Sequence, residues 1–162
     1  MNPGIIGLAK FVRDLLTQPE GQVVIVGRHN VRREDFTGLQ IVIDAVSAGS
    51  RLNSSESYDG DAEVATYSQQ WMQPCTVNFY GNEGYDQAQL FTLLAQSQKG
   101  YEIQRDSGVA VYDVSTITDV KMLTGDQFSA RYELSCNVQY TIKTGVSTLR
   151  IDTAQTEIIN DY

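Results

Sequence analysis

The segment from Phe128 to Lys143, FSARYELSCNVQYTIK, alternates apolar and polar side chains along its whole length. Apolar residues occupy the even-numbered positions and polar residues occupy the odd-numbered positions. Because neighbouring side chains of a β-strand point to opposite faces, the pattern predicts one strand with an apolar face and a polar face. A strand of that length extends roughly 50 Å, whereas ordinary strands reach about 20 Å. The strand must therefore bend or extend beyond the core of its own domain.

The composition indicates a folded protein whose main role is not the binding of nucleic acid. A chain of 162 residues has the size of one domain, so we expect a single domain over residues 1–162. A hydrophobic content of 41% and a mean hydropathy of -0.26 are typical of soluble globular proteins. The formal charge of -8 argues against DNA binding, because neutralising phosphates requires clustered Lys and Arg. No stretch of the sequence has the length and apolar character of a membrane span, and we expect no membrane partner.

Two segments have the spacing of apolar residues that is typical of amphipathic helices. The first runs from Gly4 to Thr17, where apolar residues recur at intervals of three and four. The second follows Asp86, a candidate N-cap, and Gly100 stands just past its predicted end. Its predicted buried face consists of Leu90, Phe91, Leu93 and Leu94. We therefore expect two main helices.

The intervening segments have the character of strands. The segments 22–27 and 39–46 predict two short strands. A longer strand is predicted within residues 62–81 and is broken at Pro74, because proline cannot donate a ladder hydrogen bond. Strands from both halves of the chain thus accompany the two helices. The order predicts an α+β fold with an antiparallel or mixed sheet and both helices packed on one face.

Two further features concern the edges of this predicted sheet. The segment from Ser47 to Asp61 is rich in Ser, Gly, Asn and Asp and has no hydrophobic period, which predicts a long exposed loop. Lys143-Thr144-Gly145 is a turn signal, and residues 146–158 are predicted to return as a strand. The C-terminal third is therefore expected to form a long β-hairpin.

No constellation of side chains in the sequence predicts a catalytic centre. His29 is the only histidine and lies in a polar loop without a pocket-forming pattern. The fragment Tyr58-Asp59-Gly60-Asp61 resembles part of a calcium loop but lacks its complete spacing. Cys75 and Cys136 lie in strand registers and are expected to be buried free thiols, which indicates a reducing compartment. We expect no enzymatic activity, no cofactor and no metal site.

Two charged clusters are the candidate partner-binding residues. The densest positive cluster consists of Arg28, His29, Arg32 and Arg33. The densest negative cluster consists of Glu56, Asp59 and Asp61, with Tyr58 beside them. Opposed charges across an interface steer encounter and fix register, so at least one cluster is expected to contact a neighbouring protein.

The chain resembles the neck or tail-terminator proteins of long-tailed bacteriophages over nearly its whole length, roughly residues 1–158. The resemblance rests on the strand end TVNFYG, the helix DQAQLFTLLAQSQ, the strand RYELSCNVQY and the closing TEI. It implies a structural protein of the virion neck that is present in the host cytoplasm during assembly. Such proteins form a ring, generally a hexamer, that caps the tail tube protein, stops its polymerisation and receives the head-tail connector protein. In contractile tails the ring also meets the tail sheath protein, and DNA only passes through the lumen.

A ring would explain the length of the predicted strand, because a strand that extends beyond the core of its own domain can pair or pack with a neighbouring subunit. Two alternatives stay open at this point. One is a head-completion protein, a stopper or connector on the portal side of the same neck. The other is a small-ligand-binding α+β domain, which belongs to a different functional class.

Overall fold

The structure is a computed structural model that describes residues 2–26, 38–120, 122–124 and 127–147, with segments 122–124 and 127–129 described by their backbone alone. The helices are α1 (Pro3–Leu15), α2 (Gly84–Ala95) and α3 (Gln98–Ser107). The strands are β1 (Val23–Ile25), β2 (Gln40–Ala45), β3 (Ser50–Asp59), β4 (Val64–Tyr80), β5 (Val109–Tyr112), β6 (Thr118–Asp119), β7 (Met122–Thr124), β8 (Gln127–Ser129) and β9 (Arg131–Ser147). The predicted α+β class with a mixed sheet is confirmed.

Within the described residues, seven strands form one sheet with β1-β2-β4-β9-β5 as its main path. β3 also pairs with β4, on the side away from β9, and β6 pairs with β9. β1 is parallel to β2, whereas the other pairs in this sheet are antiparallel. β4 and β9 pair over their full lengths, from Val64 opposite Ser147 to Tyr80 opposite Arg131. This long strand pair lies at the centre of the sheet.

The core lies between the helices and one face of the sheet, which we call the helix-side face. α1 and α2 pack on the strands, and α3 packs on both helices and on β5. The ring of Phe91 lies 6.0 Å from that of Phe11 and 6.2 Å from that of Phe79. On the predicted apolar face of β9, Leu134 and Val138 are fully buried in this core, whereas Ile142 further along the same face is exposed. The other side of the sheet, the open face, carries no helix among the described residues.

A third helix, α3, occupies a segment that the sequence pattern left as a connector. Ser97 is its N-cap, and the Ser97 Oγ accepts a hydrogen bond from the amide of Gly100 at 3.1 Å. Gly100 therefore lies inside α3 rather than past the last helical turn. The helix is polar, and its only buried residues are Gly100 and Gln104. Its sequence therefore lacks the row of apolar residues from which an amphipathic helix is predicted.

The predicted loop from Ser47 to Asp61 is wrong, because most of this segment forms β3. β3 pairs with β4 from Ser50 opposite Met72 to Asp59 opposite Val64, with a bulge between Arg51 and Ser54. Every residue of β3 is exposed, as the prediction required. A strand that is exposed to solvent on both faces does not need to alternate apolar and polar residues. Its sequence therefore lacks the pattern by which strands are predicted.

The predicted break of β4 at Pro74 is also wrong. Pro74 lies opposite Asn137 within a continuous strand. On the other side of β4, the pairing with β3 ends at Met72 and the pairing with β2 begins at Cys75. Proline thus falls at the changeover between two neighbours, where its missing N–H removes no bond to a paired strand.

The predicted turn at Lys143-Thr144-Gly145 is wrong as well, because β9 continues through it to Ser147. The backbone there pairs with residues 64–68 of β4, so the segment is held extended by its partner. The predicted return strand lies outside the described residues beyond Ser147. At 17 residues β9 spans roughly 55 Å, so it outgrows the core rather than bending back.

Replacing Leu134 by alanine is expected to lower the free energy of unfolding by about 2 to 5 kcal/mol, because the change removes buried methyl groups and leaves a cavity. Ser135→Ala is the matched control, since Ser135 is exposed on the other face of the same strand and its loss should cost less than about 0.5 kcal/mol. Urea denaturation measures both values. Equal losses for the two variants would mean that the faces of β9 are misassigned.

The two cysteines face each other across the central strand pair, with Cys75 opposite Cys136. Both are buried free thiols, as the sequence predicts. Burial, with a smaller contribution from the negative charge of Asp44, raises the pKa of Cys75 to about 11. Burial, with a smaller contribution from Cys75, raises the pKa of Cys136 to about 12. Neither thiol is suited to redox chemistry, because the thiolate is the reactive form.

These raised pKa values predict a loss of stability in alkali. Above about pH 8.5 the thiols of the unfolded chain lose their protons, while those of the folded chain keep them to about pH 11 or 12. The unfolded state then binds fewer protons, so the free energy of unfolding falls by up to about 1.4 kcal/mol per pH unit for each thiol. Denaturation between pH 8 and 10 measures the slope. Cys136→Ala should flatten it, and an unchanged slope in that variant would contradict the assignment.

Candidate protein-interaction surface

Three strand segments extend past the helices and form a ribbon that we call the arm. It consists of β3, residues 64–70 of β4 and residues 141–147 of β9, with β4 in the middle. All residues of β3 and of segment 141–147 are exposed. The arm therefore has two solvent-exposed faces, which is unusual for a sheet that continues directly from a core.

The base of the arm is fixed by one buried amide. Gln73 is 1% exposed on the helix-side face. Its Nε2 donates to the carbonyl of Ser47, and its Oε1 accepts from Nδ2 of Asn2. Asn2 is also the N-cap of α1, so this side chain ties the helix to the start of β3. Gly49 makes the turn into β3 with a φ of 80°, a left-handed conformation that favours glycine.

The outer end of the arm is a tight connection between β3 and β4. The carboxylate of Asp59 accepts hydrogen bonds from the amides of Asp61 at 3.0 Å and Ala62 at 3.2 Å. Asp and Asn favour turns because their side chains bond the backbone two residues on in this way. Asp59 therefore has a structural task in the turn, whereas Asp61 projects its charge at the tip.

The helix-side face of the arm is rich in exposed apolar and aromatic groups. Tyr58, Tyr67, Ile142 and Val146 are 54%, 42%, 43% and 47% exposed. Ala65 pairs with Tyr58 on one side and Val146 on the other, and it is only 2% exposed. Large side chains thus close over a small central residue. The result is an apolar strip along the arm, which the polar side chains of Glu56, Gln69 and Thr144 interrupt.

The open face of the arm has the opposite chemistry. Apart from Val64 and the turn residue Asp59, its side chains are hydroxyls and amides with one cation: Ser55, Ser57, Thr66, Ser68, Gln70, Thr141 and Lys143. The parity of the strands separates these residues from the apolar strip, because alternate side chains point to opposite faces. The arm thus offers a partner one apolar surface and one polar surface.

A cross-strand pair on the helix-side face joins Glu56 to Tyr67. Hydrogen bonding of the Tyr67 hydroxyl with the Glu56 carboxylate, together with the negative charge of Glu56, favours the protonated form and raises the pKa of Tyr67. Tyr67 therefore stays protonated at neutral pH. The pair also gives the one acid on this part of the strip a partner within the chain.

Four of the predicted partner-binding residues come together on the arm. Glu56, Tyr58, Asp59 and Asp61 all lie in its outer half or at its tip. The positive cluster of Arg28, His29, Arg32 and Arg33 lies outside the described residues. Sequence reasoning did not identify Tyr67, Ile142 and Val146 as surface groups. Their signal was present, since Ile142 and Val146 keep the even parity of the apolar face of β9 past the last residue that the helices cover.

A second exposed apolar surface lies on α2 and overturns part of the predicted helix face. Phe91 is fully buried and Leu94 is partly buried, as expected, but Leu90 is 37% exposed and Leu93 is 73% exposed. The core contacts of α2 are Ala88, Phe91 and Ala95, which repeat at three and four residues. Leu90 and Leu93 lie outside that row and form what we call the α2 patch.

Other kinds of site find little support in the part of the chain that the structure describes. No group of three or more His, Cys, Asp or Glu residues is arranged there to hold a metal ion. Among the helices described, none has the length and apolar character that crossing a bilayer requires. The arm and the α2 patch are therefore the features that call for a functional explanation.

Comparison with known proteins gives one clear result. A family model described as phage neck terminator protein matches residues 7–161. Of the elements that the structure describes, the matched range contains all nine strands, all of α2 and α3, and most of α1. It therefore includes both the arm and the α2 patch. No curated protein matches the chain at a significant level.

Proposed function

Because the chain belongs to the phage neck terminator family, a family of structural proteins of the bacteriophage neck, we propose that it is the tail terminator of a long-tailed phage. Six copies form a ring on the last ring of the tail tube protein and stop its polymerisation. The upper surface of the ring receives the head-tail connector protein. In a contractile tail the ring also meets the sheath protein. The protein acts in the virion neck after assembly in the host cytoplasm.

The arm is the observation that supports this proposal best. It continues the central strand pair of the sheet past the helix layer and exposes both of its faces. Such a ribbon buries little surface within its own chain, and burial is the dominant favourable term in folding. A long exposed strand pair is also a hazard unless a partner covers it. Assembly with neighbouring proteins supplies that partner.

The charge of the chain suits a channel for DNA. Six copies of a chain with formal charge -8 give a strongly acidic ring. An acidic wall repels phosphates, so DNA passes without sticking. The proposed role needs neither catalysis nor a cofactor. A head-completion protein is the alternative within the neck, and the family match favours the terminator over it.

Electron cryomicroscopy of the intact virion neck tests the proposal. We expect six copies of the chain in one ring, seated between the last ring of tube protein and the head-tail connector. Density for the chain on the portal side of the connector would support the head-completion alternative. Particles that lack the chain altogether would contradict both.

The charged tip of the arm is a proposed contact, either with another neck protein or with the Arg28 to Arg33 cluster of a neighbouring copy. Asp61→Lys reverses a charge that holds no turn, and we expect it to lower the yield of infectious particles about tenfold or more, because charge complementarity fixes register. Glu20→Lys is the matched control, since Glu20 is exposed in the turn before β1. Complementation of a phage lacking the gene measures both yields. Equal yields for Asp61→Lys and wild type would remove the tip from the contact surface.

A further inference from the structure

We propose that the apolar strip of the arm packs on the α2 patch of the neighbouring copy. The proposal rests on the ring described above and names the two surfaces that build it. One surface is Tyr58, Tyr67, Ile142 and Val146 on the helix-side face of the arm. The other surface is Leu90 and Leu93 on the outer side of α2.

The first step of the argument is the continuity of one sheet face. Within a single chain, helices cover this face as far as Trp71 and Tyr140, and Tyr140 is only 6% exposed. The Tyr140 ring lies against Gly4 of α1, where a Cβ would collide with it. Beyond these residues the face continues with Tyr67, Ile142 and Val146, with Gln69 and Thr144 between them, and no described element covers it. A surface that is covered by helices in its first half is suited to a helix in its second half.

The second step is that the chain itself carries a helix with a matching surface. α2 presents Leu90 and Leu93 to solvent, and Leu93 is exposed to 73%. No charged residue occurs from Gln87 to Gln98, although the chain as a whole is 20% charged. Leu93 stands one turn after Leu90, so the two side chains form a ridge that can lie against a strip of Tyr, Ile and Val.

Charge points to the same pair of surfaces. Each copy carries -8, so two copies approach most easily through surfaces that are poor in charge. The α2 patch has none, and on the outer half of the strip the carboxylate of Glu56 lies directly across the strands from Tyr67. The tip acids Asp59 and Asp61 stay at the rim of such a contact, where charges influence encounter more than affinity.

The symmetry of the contact also fits a ring. The two surfaces belong to different elements of one chain, so each copy uses its arm on one neighbour and its α2 patch on the other. A contact of this heterologous kind repeats from copy to copy and closes when the rotation per copy allows it. A contact between two arms would instead be complete after two copies.

Disulfide trapping in assembled particles tests the proposal. Leu93→Cys and Ile142→Cys are placed together in the full chain, which is supplied to a phage lacking the gene. The native thiols do not interfere, because Cys75 and Cys136 are buried with raised pKa values. After mild oxidation, purified particles should yield a ladder of covalent oligomers on a non-reducing gel, and reductant should collapse it to one band.

Three controls define the result. Each single cysteine variant should give no ladder, since a head-to-tail contact brings position 93 against position 142. Leu93→Cys with Ser68→Cys should also give none, because Ser68 lies on the open face of the arm. Particles that contain the double variant without a ladder would overturn the inference, as would dimers from either single variant. Wild-type particles that lack the chain would instead contradict the proposed function.

A second pair of variants covers the case in which the cysteine variants are not incorporated. Leu93→Lys and Ile142→Glu should each lower the infectious yield about tenfold or more, because each places one unpaired charge in the contact. Combined in one chain, the two charges face each other across neighbouring copies, and the yield should recover to within about threefold of wild type. A combined variant that is no better than the worse single variant would overturn the inference.

Discussion

Replacing Tyr67 and Ile142 together by lysine is expected to lower the yield of infectious particles about a hundredfold or more. Both side chains are more than 40% exposed in the free chain, so they contribute little to its own core. Burial of such a side chain at an interface is worth about 1.5 to 3 kcal/mol, and a charge placed there adds a desolvation cost. A loss of about 2.7 kcal/mol at each contact already reduces its equilibrium constant a hundredfold.

The matched control is Ser68→Lys with Thr141→Lys, which adds the same charge to the same strands on the open face. We expect its yield to stay within about tenfold of wild type. Urea denaturation of the purified chains checks folding, and both variants should lie within about 1 kcal/mol of wild type because surface changes are individually small. A normal yield from the Tyr67 and Ile142 variant would show that the apolar strip takes no part in assembly.

The largest effect on stability is expected for Phe91→Ala, at about 3 to 5 kcal/mol. Phe91 is fully buried, and its ring contacts those of Phe11 and Phe79 between the helices and the sheet. The substitution therefore removes a large buried surface from the middle of the core and leaves a cavity. Chemical denaturation measures the loss, with the dependence of the free energy of unfolding on denaturant concentration held equal for all variants.

Leu93→Ala is the matched control on the same helix. Leu93 is 73% exposed, so we expect its replacement to change the free energy of unfolding by less than about 0.5 kcal/mol. The comparison separates the buried row of α2 from the α2 patch. Similar losses for Phe91→Ala and Leu93→Ala would mean that α2 is rotated about its axis relative to the orientation described.

The parts of this fold that were predictable from the sequence are the helices and strands that bury one face in the core and expose the other to solvent. In β9 the alternation of apolar and polar residues assigned Leu134, Cys136 and Val138 to the core correctly, because a strand that is buried on one face carries an apolar residue at every second position. β3 was missed for the converse reason. Its residues are exposed on both faces, and its strand character comes from pairing with β4, which is a property of the tertiary structure.

The same distinction explains the errors in α2 and β9. The apolar residues of α2 cover more than one face, and only the positions of Phe11 and Phe79 decide that Phe91 points inward while Leu93 does not. Lys143-Thr144-Gly145 has turn chemistry, yet the strand passes through it because β4 offers a continuous partner there. Local preference was overridden by pairing in both β3 and β9.

For the candidate surface, sequence reasoning found the charged tip and missed the apolar strip. Glu56, Asp59 and Asp61 stand out as a cluster in the sequence, whereas the strip combines residues from three strands that are far apart in the chain. Register alone brings Tyr58, Ala65 and Val146 side by side. The strip became visible only when the extent of the helix layer was known, because the same apolar pattern is core in one half of the strand and surface in the other.

Tail length in the absence of the chain tests the central claim most directly. A phage that cannot make the protein is grown in a host that supplies none, and the lengths of its tail tubes are measured by electron microscopy. The account predicts unjoined heads and tubes that extend beyond the uniform length seen when the wild-type chain is supplied. Tubes of normal, uniform length that are joined to heads would contradict it.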